Sequence, residues 1–291
     1  LGVEKVRFTD SDSYMDLVIK TTDHTEPLGI DKNMPARFLL PLIDQKAASG
    51  FVNASLALDQ ARAVKDIQEQ ELMRKASHLN DMAMAEITHF FKEGVTETDL
   101  AEQLKKIYRD LGADGLSFEP LFAFGSNAAS GHHWPDDTRL KPGDCILVDI
   151  GCTWEGYCSD MTRTFFYKNV TQHQQEVYHT VLKANEEAEK AVTPGIPLSS
   201  LDQIARGIIT DKGYGSAFTH RLGHFIGLED HEFGDVSSAS ADRAVPGNIF
   251  SIEPGVYLEN DMGVRVEDLV LVTDHGHEIL NHFSKELTVI D

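Results

Sequence analysis

The sequence of 291 residues contains few cysteines and no long apolar run. Its three cysteines, Cys145, Cys152 and Cys158, are an odd number and lack the Cys-x-x-Cys spacing of thiolate zinc sites. Free thiols are typical of a reducing compartment, and we therefore predict a cytoplasmic protein. No apolar stretch approaches the ~20 residues that span a membrane, so we predict no membrane association.

Basic residues are also scarce. The sequence has 26 lysines and arginines but 47 aspartates and glutamates, which gives a formal net charge of −21. Nucleic-acid binding needs a basic surface, and anionic membrane surfaces attract clusters of lysine and arginine. We therefore predict no nucleic-acid partner and no membrane partner. An excess of carboxylates is compatible with a different kind of partner, a bound cation.

The pattern of apolar residues divides the chain into two parts. Residues 1–65 contain short apolar runs interrupted by Pro and Gly, which predict a few strands and a helix of a smaller domain and its linker. From residue 66 onward, the pattern predicts the order helix, helix, strand hairpin, and this order occurs twice. Thr96 with Asp99, and Thr171 with Gln174, have capping-box spacing and predict two of the helix starts.

The two predicted hairpins share a finer signature in KPGDCILVDIG and VPGNIFSIEPG. Asp149 and Glu253 each stand seven residues after the proline of a Pro-Gly turn, and a glycine follows two positions later. A second acid comes eleven residues after Asp149, at Asp160, and fourteen residues after Glu253, at Glu267. We interpret residues 66–291 as an α+β domain of two half-domains related by internal pseudo-symmetry.

Strand pairing within each hairpin predicts that both of its acids project from the same face. Packing the hairpins together would then collect Asp149, Asp160, Glu253 and Glu267 in one interior. Four buried carboxylates repel each other at neutral pH, so they require protons or divalent cations. Solvent exposure, or pairing with Arg163 and Arg265, is the alternative for each acid taken alone.

Histidines favour the metal interpretation. The segment HRLGHFIGLEDHE places His220, His224 and His231 between the two hairpins. Oxygen-rich ligation with an imidazole suits Mn²⁺, Co²⁺, Fe²⁺ or Zn²⁺, and bridging carboxylates suggest two ions. Mg²⁺ or Ca²⁺ bound by the acids alone is the weaker alternative, since it leaves the histidines without a role.

Five short segments resemble the ligand motifs of the "pita-bread" metallopeptidases, the family of methionine aminopeptidase, aminopeptidase P and prolidase. They are VDIG, SDMTRT, HRLGHFIG, SIEPGVY and GVRVED. The resemblance covers about residues 66–291 in continuous order. It implies an α+β fold with a pseudo-symmetric, duplicated pita-bread catalytic domain at 66–291, preceded at 1–65 by a partial creatinase-type N-terminal domain and linker.

The resemblance implies a role for each matching residue and two divalent metal ions per chain, with manganese favoured over Co, Zn and Fe. Asp149 would bind one ion, while His224 and Glu253 would bind the other. Asp160 and Glu267 would bridge both ions. Glu253 would also transfer a proton from the attacking water to the leaving amine.

Two further family histidines match this sequence. The His-x-x-Pro spacing in SGHHWPDD selects His132 over His133, and His231 stands seven residues after His224. Both would hydrogen-bond the scissile peptide and stabilise charge on its carbonyl oxygen. His220 joins His133 as a predicted supporting residue.

The resemblance favours a prolidase, or Xaa-Pro dipeptidase, which hydrolyses the bond between an N-terminal residue and proline. Aminopeptidase P, acting on longer Xaa-Pro peptides, is the close alternative. A non-catalytic pita-bread binding module and a metal-free, creatinase-like hydrolase are disfavoured, because all five ligand types are present. The predicted partners are a small peptide with proline at the second position and a second copy of the chain in a homodimer.

Two positions depart from the family pattern. Phe225 stands where glycine is common, and we expect it to narrow the pocket beside His224. Asp235 stands where some prolidases have an arginine for the substrate carboxylate, which puts strict dipeptide specificity in question.

Overall fold

The structure is a computed structural model that describes residues 5–291. The helices are α1 Tyr14–Thr21, α2 Ala36–Asp44, α3 Ser55–Ala63, α4 Ile67–Thr88, α5 Glu97–Leu111, α6 Gln172–Ala191 and α7 Leu198–Asp211. The strands are β1 Pro27–Ile30, β2 Gly50–Asn53, β3 Gly115–Leu116, β4 Leu121–Phe124, β5 Cys145–Ile150, β6 Cys152–Trp154, β7 Tyr157–Cys158, β8 Met161–Tyr167, β9 Gly223–Phe225, β10 Glu232–Val236, β11 Ile249–Ile252, β12 Gly255–Leu258, β13 Met262–Arg265, β14 Asp268–Thr273, β15 Gly276–Ile279 and β16 Val289–Ile290. Two 3₁₀ turns lie at Gly125–Ala129 and Gly215–Ala217.

The chain divides between Ala61 and Arg62 into two compact units. In the smaller unit, β1 and β2 form a parallel pair, and a small apolar core includes Ile19 and Leu42. The sequence predicted one helix within residues 1–65, whereas α1, α2 and α3 all form there, and α2 continues through Pro41. Within residues 5–291, no helix has the length and apolar character needed to cross a membrane.

Two sheets and four long helices make up most of the larger unit. One sheet has the strand order β16-β8-β5-β4, and the other has the order β10-β9-β11-β14-β15. Strand β5 is buried on both faces: Ile146 and Val148 pack with the α4–α5 side, while Leu147 packs with the α6–α7 side. Burial on both faces explains the continuous apolar run in CILVDIG.

The predicted helix caps are confirmed. Thr96 and Asp99 form a capping box at the start of α5, which ends at Gly112 in the left-handed conformation (φ 83°). Thr171 and Gln174 form a second capping box at the start of α6. These local signals need only neighbouring residues, which is why the sequence alone located both helices correctly.

The two predicted hairpins also form. Strand β5 pairs antiparallel with β8, and β11 pairs antiparallel with β14. Asp149 lies near the end of β5, and Asp160 directly precedes β8. Glu253 directly follows β11, and Glu267 directly precedes β14. Each pair of acids therefore stands where two paired strands separate, which directs the four carboxylates toward one region.

Candidate active site

The acids and histidines line one cavity of about 310 Å³. Its lining comprises Phe118, Gly131, His132, Asp149, Asp160, His220, Arg221, His224, Asp230, His231, Glu253, Tyr257, Arg265 and Glu267. All five residues predicted as metal ligands and both predicted catalytic histidines belong to this lining. The structure thus brings together side chains that are up to 135 positions apart in the sequence, from His132 to Glu267.

The ligating atoms of Asp160, His224 and Glu267 lie within 4.8 Å of one another, and all three residues are buried. His224 Nε2 lies 3.4 Å from Asp160 Oδ2 and 3.5 Å from Glu253 Oε1. The Ser251 hydroxyl accepts a hydrogen bond from the His224 backbone N–H and donates one to Glu253 Oε1. Ser251 therefore fixes the relative positions of this imidazole and this carboxylate.

Several carboxylate oxygens of the cavity are buried without a hydrogen-bond partner. They include Asp149 Oδ1, Asp160 Oδ1 and Glu267 Oε1. A buried polar atom without a partner is costly, and buried charges are normally paired or coordinate metals. The donor set of several carboxylates and one imidazole also matches the preferences of Mn²⁺, Co²⁺, Fe²⁺ and Zn²⁺. The residues therefore fit a divalent metal centre.

The electrostatics of the cavity are those of crowded, buried acids. Burial, together with neighbouring carboxylates, raises the pKa of Asp160 and that of Glu267 well above their usual range. Burial also raises the pKa of Glu253 to about 7, although the Arg265 charge acts in the opposite direction. Burial lowers the pKa of His224 to about 3, so the imidazole is neutral and can act as a ligand.

The two arginines that are close to these acids in the sequence have different partners in the structure. Arg265 Nη2 donates to Asp149 Oδ2 at 2.5 Å, so one of the four acids does have an arginine partner. Arg163 pairs instead with the Asp268 carboxylate at 2.6 Å, and its contact with Glu267 is to the backbone carbonyl. The alternative of arginine pairing therefore holds for Asp149 alone among the four acids, and there it leaves Oδ1 without a partner.

Arg265 also organises the surroundings of the cavity. Its Nη1 donates to the Tyr257 hydroxyl at 2.7 Å, and its Nε donates to the Thr162 hydroxyl at 3.0 Å. The Thr162 hydroxyl in turn donates to Glu267 Oε2 at 2.6 Å. Through these contacts, one guanidinium group orients a tyrosine from one hairpin and acids from both.

The structure separates the two adjacent histidines of SGHHWPDD. His132 lines the cavity, whereas His133 Nε2 lies 2.7 Å from Glu97 Oε2. The buried Glu97 carboxylate also accepts hydrogen bonds from the backbone N–H groups of Phe124 and Asp136. Glu97 therefore anchors both ends of the loop that carries His132.

The His231 ring lies beside the His224 ring, with ring centroids 3.9 Å apart, and it is more than half exposed. The next residue, Glu232, is held by Lys65 at 2.9 Å and by Arg62 at 2.7 Å. These ion pairs fix the chain that follows His231. His220 Nε2 lies 3.0 Å from the Tyr257 hydroxyl.

The expectation that Phe225 narrows the pocket beside His224 is wrong. Phe225 is 4% exposed and packs in the core against Phe250, with ring centroids 5.5 Å apart, and it is not part of the cavity lining. Its ring occupies the space where Gly234 (φ 127°) has no side chain. Successive residues of a strand point to opposite faces, so the side chain that follows His224 lies on the opposite face of β9.

The sequence did not reveal Asp230 as a cavity residue, although it adjoins His231. Burial and the neighbouring Asp149 raise the pKa of Asp230 to about 7, while a hydrogen bond with Asp160 acts in the opposite direction. Tyr257 and Glu97 were missed as well. Only the acid-histidine juxtaposition in LEDHE could have drawn attention to Asp230, since its loop has no periodicity from which to infer the side-chain direction.

Comparisons with known proteins agree with this geometry. Residues 71–274 match the sequence model of metallopeptidase family M24. An uncharacterized peptidase of Staphylococcus aureus (strain MW2) is 41% identical over 244 residues, which are 84% of this chain and 70% of the relative.

Two solved structures from different enzymes are comparably similar. A prolidase from Thermococcus sibiricus superposes with a TM-score of 0.94 at 33% identity, covering 99% of this chain and 80% of the other. An X-Pro aminopeptidase from Thermotoga maritima superposes with a TM-score of 0.89 at 31% identity, covering 98% of this chain and 82% of the other.

A mixed α/β fold of the pita-bread type and a carboxylate-histidine cavity define a metal-dependent hydrolase. The chain belongs to metallopeptidase family M24, and it is a metal-dependent peptidase.

Proposed function

We propose that this protein is an Xaa-Pro dipeptidase that uses two divalent metal ions to hydrolyse the bond between an N-terminal residue and proline. The observation that carries the proposal is the convergence of Asp149, Asp160, His224, Glu253 and Glu267 in one cavity. Similarity to both a prolidase and an X-Pro aminopeptidase supports a substrate with proline at the second position.

The five ligands take the roles that the sequence motifs imply. Asp149 would hold one ion, His224 and Glu253 would hold the other, and Asp160 and Glu267 would contact both. Bound divalent cations supply a water of lowered pKa and polarise the substrate carbonyl. The intact ligand set disfavours a non-catalytic binding module.

Three side chains would transfer protons or stabilise the negative charge that develops on the scissile carbonyl oxygen. Glu253 would accept a proton and pass it to the leaving proline nitrogen, the role that its motif implies. His132 and His231 line the same cavity and can donate hydrogen bonds to the scissile carbonyl oxygen. Ser251 keeps the Glu253 carboxylate in place.

A cleavage panel tests this proposal. The purified chain, stripped with a chelator and reloaded with Mn²⁺, Co²⁺ or Zn²⁺, is assayed against Ala-Pro, Ala-Pro-Ala and Ala-Leu. We expect cleavage of Ala-Pro after reloading, little cleavage of Ala-Leu and none after stripping. Hydrolysis of Ala-Pro-Ala alone would assign the chain to the aminopeptidase P type, and no cleavage of any peptide would refute the peptidase proposal.

The choice between dipeptides and longer peptides depends on what receives the proline carboxylate. Arg265 is occupied by Asp149, so Arg221 is the other guanidinium group of the cavity lining. Arg221 Nη1 lies 3.2 Å from Asp235 Oδ1, and both side chains are about two-fifths exposed. We propose that Arg221 binds the substrate carboxylate and that Asp235 competes with it.

Arg221→Ala is therefore expected to raise the KM for Ala-Pro about 10-fold, on the order of 1.4 kcal/mol, the scale of losing a hydrogen bond to a charged group. The KM for Ala-Pro-amide, which has no carboxylate, should stay unchanged. Asp235→Asn is the matched control and should lower the KM for Ala-Pro, because it removes the competitor. Equal effects of Arg221→Ala on both substrates would contradict this role.

Other features of the protein are proposed on similar grounds. The matching positions of the acids in the two hairpins support a pseudo-symmetric, duplicated pita-bread domain at 66–291. We propose that 1–65 belongs to a partial creatinase-type domain and linker. We further propose manganese as the metal, a homodimer as the assembly and the cytoplasm as the location, the last consistent with three free, buried cysteines.

A further inference from the structure

Asp230 is the one carboxylate of the cavity lining to which the five-ligand motifs give no role. It lies in the loop between β9 and β10, directly before His231. Its side chain is about one-quarter exposed, and it faces the same space as Asp149 and Asp160. A fifth carboxylate in this space increases the charge that must be neutralised.

The surroundings of Asp230 do not neutralise it. Its Oδ1 atom is buried without a hydrogen-bond partner, and its ion-pair contact is His231 Nε2, 3.7 Å from Oδ2 and beyond hydrogen-bond distance. The two arginines of the cavity lining are engaged elsewhere, Arg221 with Asp235 and Arg265 with Asp149.

Asp230 instead faces the same cavity as Asp160, a predicted bridging ligand. Asp160 is also nine-tenths buried and leaves its own Oδ1 without a partner. Two acid groups that line one cavity and each leave a buried oxygen without a partner form a place where a cation can bind.

We propose that Asp230 belongs to the metal centre of this chain, as a further carboxylate that binds a metal ion or holds Asp160 in its ligating position. This inference builds on the metal centre of the proposed function but does not depend on the identity of the substrate. A carboxylate in either position increases the affinity for the ion, because it adds negative charge and orientation at the site.

Direct metal titration tests the inference. The metal-free, full-length chain and its Asp230→Asn variant are titrated with MnCl₂ by calorimetry, and bound metal is counted after dialysis. We expect the variant to bind Mn²⁺ roughly 10–100-fold more weakly at one or both sites, the scale of losing a supporting partner of a metal ligand. Asp230→Glu should restore part of the affinity, which separates a ligand role from misfolding.

Glu229→Gln is the matched control, because it removes the same charge from the adjacent residue. The Glu229 side chain is exposed and lies 3.3 Å from Arg62, and it does not line the cavity. We expect this variant to bind Mn²⁺ as the unaltered chain does. If Glu229→Gln and Asp230→Asn weakened Mn²⁺ binding equally, the effect would come from the overall charge of the chain, and the inference would be overturned.

Two other results would also overturn it. Unchanged Mn²⁺ affinity in Asp230→Asn would place Asp230 outside the metal centre. Unchanged affinity with a lost preference for peptides that begin with arginine or lysine would make Asp230 a substrate contact instead. A chain that binds Mn²⁺ in this Asp230-dependent way but cleaves no Xaa-Pro peptide would refute the proposed function and leave this inference standing.

Discussion

Asp160→Asn is expected to lower kcat/KM for an Xaa-Pro substrate by roughly 10³-fold or more, about 4 kcal/mol of transition-state stabilisation. Asp160 is buried, its Oδ2 lies 3.4 Å from His224 Nε2, and its Oδ1 has no hydrogen-bond partner. A neutral amide of the same shape cannot bridge two cations as a carboxylate does. Its NH₂ group would also direct N–H hydrogen-bond donors toward the cations.

Steady-state kinetics and metal content of the purified variant check this prediction. Glu267→Gln should behave in the same way, because Glu267 is the other predicted bridging acid. Asp261→Asn serves as the control: it removes the same charge from an aspartate that is more than half exposed and lies 3.5 Å from His173. Near-normal turnover in the Asp160 or Glu267 variant would refute the bridging assignment.

His231→Ala should retain its metal ions but lose ~10²–10³-fold in kcat, the scale of losing a hydrogen-bond donor to a developing oxyanion. His231 lines the cavity and lies against the His224 ring, yet it remains more than half exposed. That exposure is suited to a group that contacts substrate, whereas His224 is buried among the acids.

The measurement compares kcat with bound metal, counted by elemental analysis, in the same preparation. His173→Ala is the control, since His173 is a half-exposed histidine that packs on Tyr214, away from the cavity lining. Stoichiometric loss of metal in His231→Ala would instead identify His231 as a ligand.

Features that depend on residues close together in the sequence could be predicted, whereas features that depend on contacts between distant segments could not. The start of α5 at Thr96 and of α6 at Thr171 could be predicted because a capping box involves residues only three positions apart. Phe225 was misassigned because its direction depends on which face of β9 meets the core. Asp230 and Glu97 were missed because loop conformation and long-range hydrogen bonds decide where their carboxylates point.

The sequence by itself determined the family, the four acids and one histidine that resemble its ligands, and the choice of His132 over His133. These follow from residue types at recognisable spacings, which local chemistry and motif order preserve. Only the tertiary structure decided that Arg265 holds Asp149, that Glu97 holds the His132 loop and that Asp230 enters the cavity. Those facts depend on contacts between segments far apart in the chain, and no local pattern records such contacts.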